Sequence, residues 1–303
     1  MSDSAFRDLL DKFQIFYKTQ YYLSSLTWLK TGGKAEFYIR VINLETLKNI
    51  ILSNKNHFSI HIIGAGSNVI VSDLGVKGIT IKLIGDFTQI QLEYDRIIVG
   101  AGCLNFNLVK FAQANSLSGF EFLSGIPGTL GGAISTNAGA YGSEIKDLIL
   151  CVEAIDNIEG KLYKFEKDEC QFSYRSNNLP KNLIFTKLHL RAVKGDRLKI
   201  NSKIQDFNNF RSRKQPKNKT CGSVFLNPPN MKAWELIDSL GLRNKIIGGA
   251  KISDIHCNFI QNFHNAKSQD VFDLIKLVKN MVKKHHKINL DLEVKILGNH
   301  NIN

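Results

Sequence analysis

The chain has 303 residues, enough to bury a large core and to form more than one domain. Its composition, 43% hydrophobic and 22% charged, is ordinary for a folded globular protein. No apolar run reaches the ~18 residues that cross a bilayer, and the polar residues 1–5 do not match a secretory signal. We therefore expect a cytoplasmic protein with no membrane partner.

The chain is strongly basic, with 40 lysines and arginines against 27 acidic residues and a net charge of +13. Such an excess attracts nucleic acids, acidic lipids or phosphorylated metabolites, and it equally fits an organism whose proteins are rich in lysine. The five cysteines form no Cys-x-x-Cys pair. We therefore expect reduced thiols and no metal site.

The first third of the chain alternates helix and strand. Helical spacing of apolar residues from Phe6 to Tyr17 predicts a helix in the first twenty-odd residues. Asn43 is the predicted N-cap of a helix over residues 44–54. The predicted strands are 36–42, 60–63, 69–71 and 79–83.

A second block begins with a strand over residues 96–99 and a helix capped by Asn105 or Asn107. The most glycine-rich part of the chain follows, at residues 124–142. Its glycines and Pro127 argue against a regular helix or a central strand. Three antiparallel strands are predicted after it, at 151–155, 161–165 and 183–190.

The pattern changes near residue 195, which we take as a domain boundary. A basic helix leads to Gln215 and is followed by a strand-like segment at 223–226. A helix around Trp234, a helix over residues 268–284 capped by Ser268, and a last strand at 290–297 complete the prediction.

The glycine loops favour a ligand with a pyrophosphate and a flat ring system. The sequence Gly64-Ala65-Gly66-Ser67-Asn68-Val69 fails the dinucleotide fingerprint because its sixth residue is not glycine, so alone it indicates only a turn or a phosphate nest. The stretch Gly125-Ile126-Pro127-Gly128-Thr129-Leu130-Gly131-Gly132 is stronger, because its four glycines permit close approach of the backbone to a large ligand.

The order of the motifs carries a resemblance. Thr27 to Gly33, the two glycine loops and Asn137-Ala138-Gly139-Ala140-Tyr141-Gly142 together resemble the FAD-binding module of the vanillyl-alcohol-oxidase (PCMH) type. With Tyr174-Arg175, Gly222-Ser223-Val224-Phe225 and Leu292-Glu293-Val294, the details resemble the UDP-N-acetylenolpyruvoylglucosamine reductase family. The resemblance spans about residues 25–298 and fits the shorter subtype, which lacks a tyrosine-bearing insertion.

This resemblance implies an α+β fold. We expect an N-terminal helical segment at 1–27, an FAD-binding domain at 28–195 made of subdomains 28–85 and 86–195, and a smaller substrate-binding domain at 196–303. It implies non-covalent FAD, NADPH as co-substrate, and reduction of an enolpyruvyl ether of a UDP-sugar to UDP-N-acetylmuramate in peptidoglycan synthesis. We expect a monomer that binds no nucleic acid.

The resemblance also assigns site residues. Arg175 would stabilise charge beside the substrate carboxylate, Ser223 would donate a proton, and Glu293 would be its acidic partner. Tyr174, Gln215 and Asn227 would contact substrate. The residues implied in cofactor binding are Gly64, Ala65, Gly66, Ser67, Asn68, Gly125, Ile126, Pro127, Gly128, Gly131, Gly132, Asn137 and Gly139.

Alternatives and departures remain open at this point. Another FAD enzyme of the same fold, acting on an alcohol or a sugar, would share the N-terminal half. A nucleic-acid-binding protein would explain the charge but not the glycine loops. A catalytically dead scaffold would be expected to lack Arg175, Ser223 or Glu293. Leu226 stands where many family members have lysine, and Leu179 where an aromatic residue is common.

Overall fold

The computed structural model of the protein describes residues 3–217 and 219–300. The chain folds into two compact units, each assembled from separate stretches of sequence. The first unit comprises Met1–Thr19, Phe37–Gly64 and Gly78–Asn209, and the second comprises Gln20–Glu36, Ala65–Lys77 and Phe210–Asn303. Within the described part of the chain, no helix is long and apolar enough to cross a membrane.

Helices and strands alternate along most of the chain. The helices are α1 Asp3–Lys12, α2 Leu44–Asn54, α3 Asn105–Ala114, α4 Leu130–Ser135, α5 Arg197–Lys214, α6 Ala233–Asp238 and α7 Ser268–His286. The strands are β1 Tyr17–Tyr22, β2 Lys34–Val41, β3 Ile60–Ile62, β4 Val69–Val71, β5 Val76–Leu83, β6 Ile90–Glu93, β7 Arg96–Gly100, β8 Leu117–Ser118, β9 Gly139–Ala140, β10 Ser143–Glu144, β11 Ile149–Asp156, β12 Leu162–Glu166, β13 Leu183–Arg191, β14 Val193–Lys194, β15 Thr220–Ser223, β16 Ile246–Ile247, β17 Ala250–Ile252, β18 Phe259–Asn262 and β19 Lys295–Leu297.

The first unit is built on a five-stranded antiparallel sheet in the order β12-β11-β13-β7-β6. One row of paired apolar residues crosses all five strands, because Phe165 pairs with Val152, Val152 with Leu188, Leu188 with Val99, and Val99 with Ile90. Apolar side chains of α3 and α4 join the same core. The sheet therefore supports the glycine-rich segment that contains α4.

A second core of the first unit collects α1, α2 and the neighbouring strands. The rings of Phe6, Phe37 and Phe58 lie 5.1 to 5.4 Å apart between centroids. Phe6 and Phe37 are fully buried. Helix α2 begins as predicted, with the Asn43 side chain accepting a hydrogen bond from the Thr46 N–H at 2.8 Å.

The N-terminal helix is shorter than predicted. Helix α1 ends at Lys12, and Gln14 adopts a left-handed backbone with φ of 52°. Strand β1 follows, and its residues alternate between half-buried and exposed. The helix predicted for the first twenty-odd residues is therefore wrong beyond Lys12, because the tyrosine-rich sequence of β1 has the two-residue period of a strand.

Three further local predictions need correction. The glycine-rich segment does contain a short helix, α4, because the Thr129 side chain accepts a hydrogen bond from the Gly132 N–H at its start. Leu104 occupies the N-cap position of α3, instead of Asn105 or Asn107. Ser268 is the first residue of α7, and its hydroxyl accepts a hydrogen bond from the Asp73 N–H at 2.8 Å.

The second unit combines an antiparallel sheet, β15-β18-β17-β16, with helices α6 and α7. Strand β19 pairs in parallel with β4, so Lys295 lies opposite Val69 and Leu297 opposite Val71. The apolar stripe predicted for α7 is buried. Its members are Val271, Leu274, Ile275, Val278 and Val282.

The predicted domain limits differ from the limits of the two units. We predicted a boundary at residue 195, whereas the last division between the units falls between Asn209 and Phe210, within α5. Residues 20–36 and 65–77 group with the C-terminal part of the chain. The family-based domain limits stay a prediction.

We expect Phe6→Ala to destabilise the first unit by about 3–5 kcal/mol, because it removes a fully buried ring from an aromatic cluster. Phe13→Ala is the matched control, since that ring is 44% exposed. The measurement is denaturant unfolding followed by circular dichroism. Equal midpoints for the two variants would contradict the packing of α1.

Candidate active site

Several glycines of the predicted cofactor loops lie close to other parts of the chain. A Cβ on Gly64 would stand 2.5 Å from the Thr129 Oγ1, and one on Gly66 would overlap the Leu26 carbonyl oxygen. Gly131 packs against Ala101, whose carbonyl accepts the Gly131 N–H at 2.7 Å. Gly64 and Gly66 therefore allow close packing of the chain on itself, and Gly131 leaves little room for a side chain.

Gly132 is different, because its backbone faces open space. A Cβ there would meet only the Thr129 Oγ1, at 3.6 Å. Nearby in the sequence, the buried Ser124 Oγ has no hydrogen-bond partner among the described residues. An exposed glycine backbone and an orphaned hydroxyl fit a ligand with a flat ring and hydrogen-bonding groups, as FAD has. The residues of the first unit therefore fit this cofactor.

Tyr174 and Arg175 form the tip of a tight turn. The N–H of Ser173 donates to the Ser176 carbonyl at 3.0 Å, and the N–H of Ser176 donates back to the Ser173 carbonyl at 3.2 Å. The Arg175 backbone is left-handed, with φ of 53°. Its guanidinium carbon lies 5.2 Å from the centroid of the exposed Tyr174 ring, and its Nη2 donates to the Gly139 carbonyl at 2.9 Å.

Asn137, a predicted cofactor contact, directs its side chain into the protein. The residue is fully buried. Its Nδ2 donates to the Glu144 Oε2 at 3.0 Å and to the Ser173 carbonyl at 2.9 Å. Its Oδ1 accepts the Lys146 N–H at 3.3 Å. The Glu144 carboxylate also pairs with the Lys146 ammonium at 2.6 Å and, through this hydrogen bond, raises the pKa of that lysine.

In the second unit, the segments that carry Ser223 and Glu293 lie side by side. Phe225 and Leu292 form an antiparallel bridge. The Glu293 N–H donates to the Val224 carbonyl at 2.9 Å, and the Leu226 N–H donates to the Asp291 carbonyl at 2.9 Å. The two predicted catalytic residues therefore lie on adjacent backbone segments, although they are 70 positions apart in the sequence.

Sequence reasoning missed Asn258, which holds this arrangement in place. Its carbonyl accepts the Val224 N–H at 2.8 Å. Its side chain accepts the Phe225 N–H at 2.9 Å and donates to the Phe225 carbonyl at 2.8 Å. Asn258 is buried, so its amide replaces the neighbouring strand that would otherwise satisfy Phe225. Only the three-dimensional contact reveals this role, because Asn258 is 33 residues away in sequence.

Two residues near this segment have pKa values shifted by burial. Burial raises the pKa of the Cys221 thiol to about 12. Burial also lowers the pKa of His256, which favours a neutral imidazole. The His256 Nδ1 accordingly can accept the Asn258 N–H, at 3.3 Å.

The predicted substrate contacts of the second unit differ in their surroundings. The Asn227 Oδ1 accepts the N–H of Ala233, the first residue of α6, at 3.0 Å. The buried Gln215 Oε1 has no hydrogen-bond partner among the described residues, which leaves it able to accept one from a ligand.

The two departures from the family pattern sit in ordinary surroundings. Leu179 is 5% exposed and belongs to the core of the first unit, so an aliphatic side chain fits there. Leu226 is half-buried, and its N–H donates to the Asp291 carbonyl.

The comparisons with known proteins first identify a class. A family described as "FAD binding domain" matches residues 35–166. A solved glucose dehydrogenase, Phl p 4.0202, shares the fold with a TM-score of 0.50 and 12% identity, over 64% of this chain and 44% of that one. The chain is thus a flavoprotein of the α+β fold predicted from its motifs.

A second family, "UDP-N-acetylenolpyruvoylglucosamine reductase, C-terminal domain", matches residues 215–297. The reductase of that name from Rickettsia massiliae is 48% identical over 94% of this chain and 96% of its own length. The solved enzyme from Thermus caldophilus has a TM-score of 0.81 and 33% identity, over 94% of this chain and 99% of that chain. The chain belongs to the UDP-N-acetylenolpyruvoylglucosamine reductase family, which confirms the predicted resemblance.

We expect Gly66→Ala to lose both stability and bound FAD, because its Cβ would overlap the Leu26 carbonyl. Gly241→Ala is a matched control: Gly241 has φ of +67° against +68° for Gly66, but nothing lies within 4 Å of its added Cβ. Gly241→Ala should lower the free energy of unfolding only by the strain of a left-handed backbone, about 1 kcal/mol. Melting temperature and the flavin-to-protein absorbance ratio measure the difference, and similar values for both variants would contradict the crowding at Gly66.

Proposed function

We propose that this protein reduces the enolpyruvyl ether of UDP-N-acetylglucosamine to UDP-N-acetylmuramate, with FAD as cofactor and NADPH as co-substrate. The single observation that carries the proposal is the similarity to a reductase of this name over 94% of the chain. The product is a precursor of peptidoglycan, so we place the activity in the cytoplasm. We further propose that the protein acts as a monomer and uses no metal or nucleic acid.

When bound, FAD would supply the hydride-transfer chemistry, with NADPH as the source of the hydride and C3 of the enolpyruvyl group as its destination. The residues proposed to hold it, by similarity, are Gly64, Ala65, Gly66, Ser67, Asn68, Gly125, Ile126, Pro127, Gly128, Gly131, Gly132 and Gly139. We propose that Gly66 and Gly131 act by shaping the backbone, and that Gly132 lies against the cofactor.

Arg175 is proposed to stabilise the developing negative charge. Hydride addition at C3 leaves charge at C2 that spreads into the adjacent carboxylate. A guanidinium suits this task because it stays charged and can bind a carboxylate through two parallel hydrogen bonds. Tyr174, beside it in the turn, and Gln215 and Asn227 are proposed substrate contacts.

Ser223 is proposed to complete the reaction by donating its hydroxyl proton to C2. A serine is a weak acid, so it needs a fixed position and a polar neighbour. Glu293 is proposed to supply the neighbour, since its segment is hydrogen-bonded to the residue after Ser223. The proton that leaves Ser223 is then replaced from solvent or through the Glu293 carboxyl group.

The two half-reactions test this proposal directly. Under anaerobic conditions, NADPH should bleach the flavin absorbance, and UDP-N-acetylenolpyruvoylglucosamine should restore it. A flavin that bleaches but does not recover would remove the assigned substrate and keep the flavoprotein fold. A colourless protein that cannot be reconstituted with FAD would contradict the whole proposal.

Substitutions should separate the roles. We expect Ser223→Ala to slow the return of flavin absorbance by about 10²–10⁴-fold and Arg175→Ala by about 10²–10³-fold, with little change in bleaching by NADPH. Ser239→Ala and Arg96→Ala, at exposed positions, are the controls. If Ser223→Ala and Arg175→Ala recover as fast as the controls, the assigned roles are wrong.

A further inference from the structure

The turn that presents Arg175 contains a residue in an unfavourable backbone conformation. It consists of four residues closed by two hydrogen bonds between Ser173 and Ser176. Arg175 has a backbone conformation, φ of 53°, that residues with a side chain rarely adopt. Such a conformation persists only where the surroundings impose it.

Two hydrogen bonds join the turn to one neighbouring segment. At the tip of the turn, the Arg175 Nη2 donates to the Gly139 carbonyl at 2.9 Å. At its base, the Asn137 Nδ2 donates to the Ser173 carbonyl at 2.9 Å. The segment 137–139, which leads into strand β9, therefore holds the turn at both ends.

Asn137 is chemically suited to this task. Both protons of its Nδ2 are used, one on Ser173 and one on the Glu144 carboxylate, while its Oδ1 accepts the Lys146 N–H. A side chain at this position must donate twice and accept once, and among side chains of this length only an amide does so. Because Asn137 is fully buried, a polar replacement that cannot form these hydrogen bonds would itself be left unsatisfied.

We propose that Asn137 is a positioning residue for Arg175, and that it acts through the Ser173 carbonyl instead of through a side-chain contact with FAD. This proposed role differs from the cofactor contact that the motif implied for Asn137. The proposal rests on the catalytic role proposed above for Arg175.

Asn137→Asp is the informative variant. Aspartate has nearly the same shape, but it has no donor, and its negative charge faces the Glu144 carboxylate and the Ser173 carbonyl. The double variant Asn137→Asp with Glu144→Gln should remove the charge repulsion between positions 137 and 144 and restore a hydrogen bond between them. It cannot restore the hydrogen bond to Ser173, so it separates folding of the hairpin from positioning of the turn.

The experiment measures FAD content and both half-reactions for the FAD-loaded full-length protein. We expect the double variant to keep its FAD and its rate of bleaching by NADPH, and to recover its flavin absorbance with substrate about 10–100-fold more slowly. Asn178→Asp is the control, because Asn178 is exposed and contacts Gln171 instead of the turn. FAD loss in the double variant, or normal recovery, would overturn the proposal.

A double-mutant cycle with Arg175→Ala tests whether the effect passes through the arginine. If Asn137 acts only through Arg175, the paired change at 137 and 144 should slow recovery less than about twofold in the Arg175→Ala background. A full additional loss there would show that Asn137 acts by another route.

Hydrogen exchange of the Ser173 and Ser176 amides measures the stability of the turn, so it tests this inference independently of the proposed function. If Arg175→Ala itself has no effect on recovery, the proposed role of Arg175 fails. Faster exchange of both amides in the 137–144 double variant than in Asn178→Asp would still show that Asn137 stabilises the turn. Unchanged exchange would overturn it regardless of any activity.

Discussion

The candidate active residues of both units lie on or next to irregular backbone that has no regular strand beside it. The N–H and C=O groups of such backbone need other hydrogen-bond partners. Two buried amides meet this need. Asn137 donates to the Ser173 carbonyl below the Arg175 turn, and Asn258 both donates to and accepts from Phe225, two residues after Ser223. An amide suits both places because it offers a donor and an acceptor on one short side chain. The surrounding cores then fix the amides themselves, since both residues are buried.

The glycines illustrate how one residue type serves two physical needs. Gly64 and Gly66 lie where another part of the chain occupies the space of a Cβ, and a Cβ on Gly131 would make a tight contact of 3.2 Å with the Ala101 carbonyl oxygen. Gly132 instead leaves open space in front of its backbone. A sequence motif cannot separate these cases, because both require the absence of a side chain. The packing around each glycine decides whether a substitution disturbs the fold or only the approach of a ligand. A substitution that disturbs the fold also disturbs the approach of the ligand.

The sequence predicted the elements whose determinants are local. Asn43 caps α2 as expected, and the buried stripe of α7 follows from its 3.6-residue period. Some local determinants were not recognised in the sequence. Gln14 ends α1 early, and Thr129 starts a helix among glycines that were expected to prevent one. In the site, the motifs pointed to Arg175, Ser223, Glu293 and Asn137, but not to Asn258 or to the hydrogen bonds that Asn137 makes. Hydrogen bonds between residues 33 and 36 positions apart define both amides, and no periodicity encodes them.

These contacts also explain why two separate sequence motifs form one structural unit. The segment around Asn137 and Gly139 and the segment around Tyr174 and Arg175 are linked by hydrogen bonds in both directions, one donated by each segment. The left-handed backbone of Arg175 is unfavourable by itself, so the turn needs the hairpin in order to hold its shape. The hairpin in turn needs Asn137, because the same amide closes it onto Glu144 and Lys146. A change in either motif should therefore disturb the other. The position of the Arg175 guanidinium depends on both motifs.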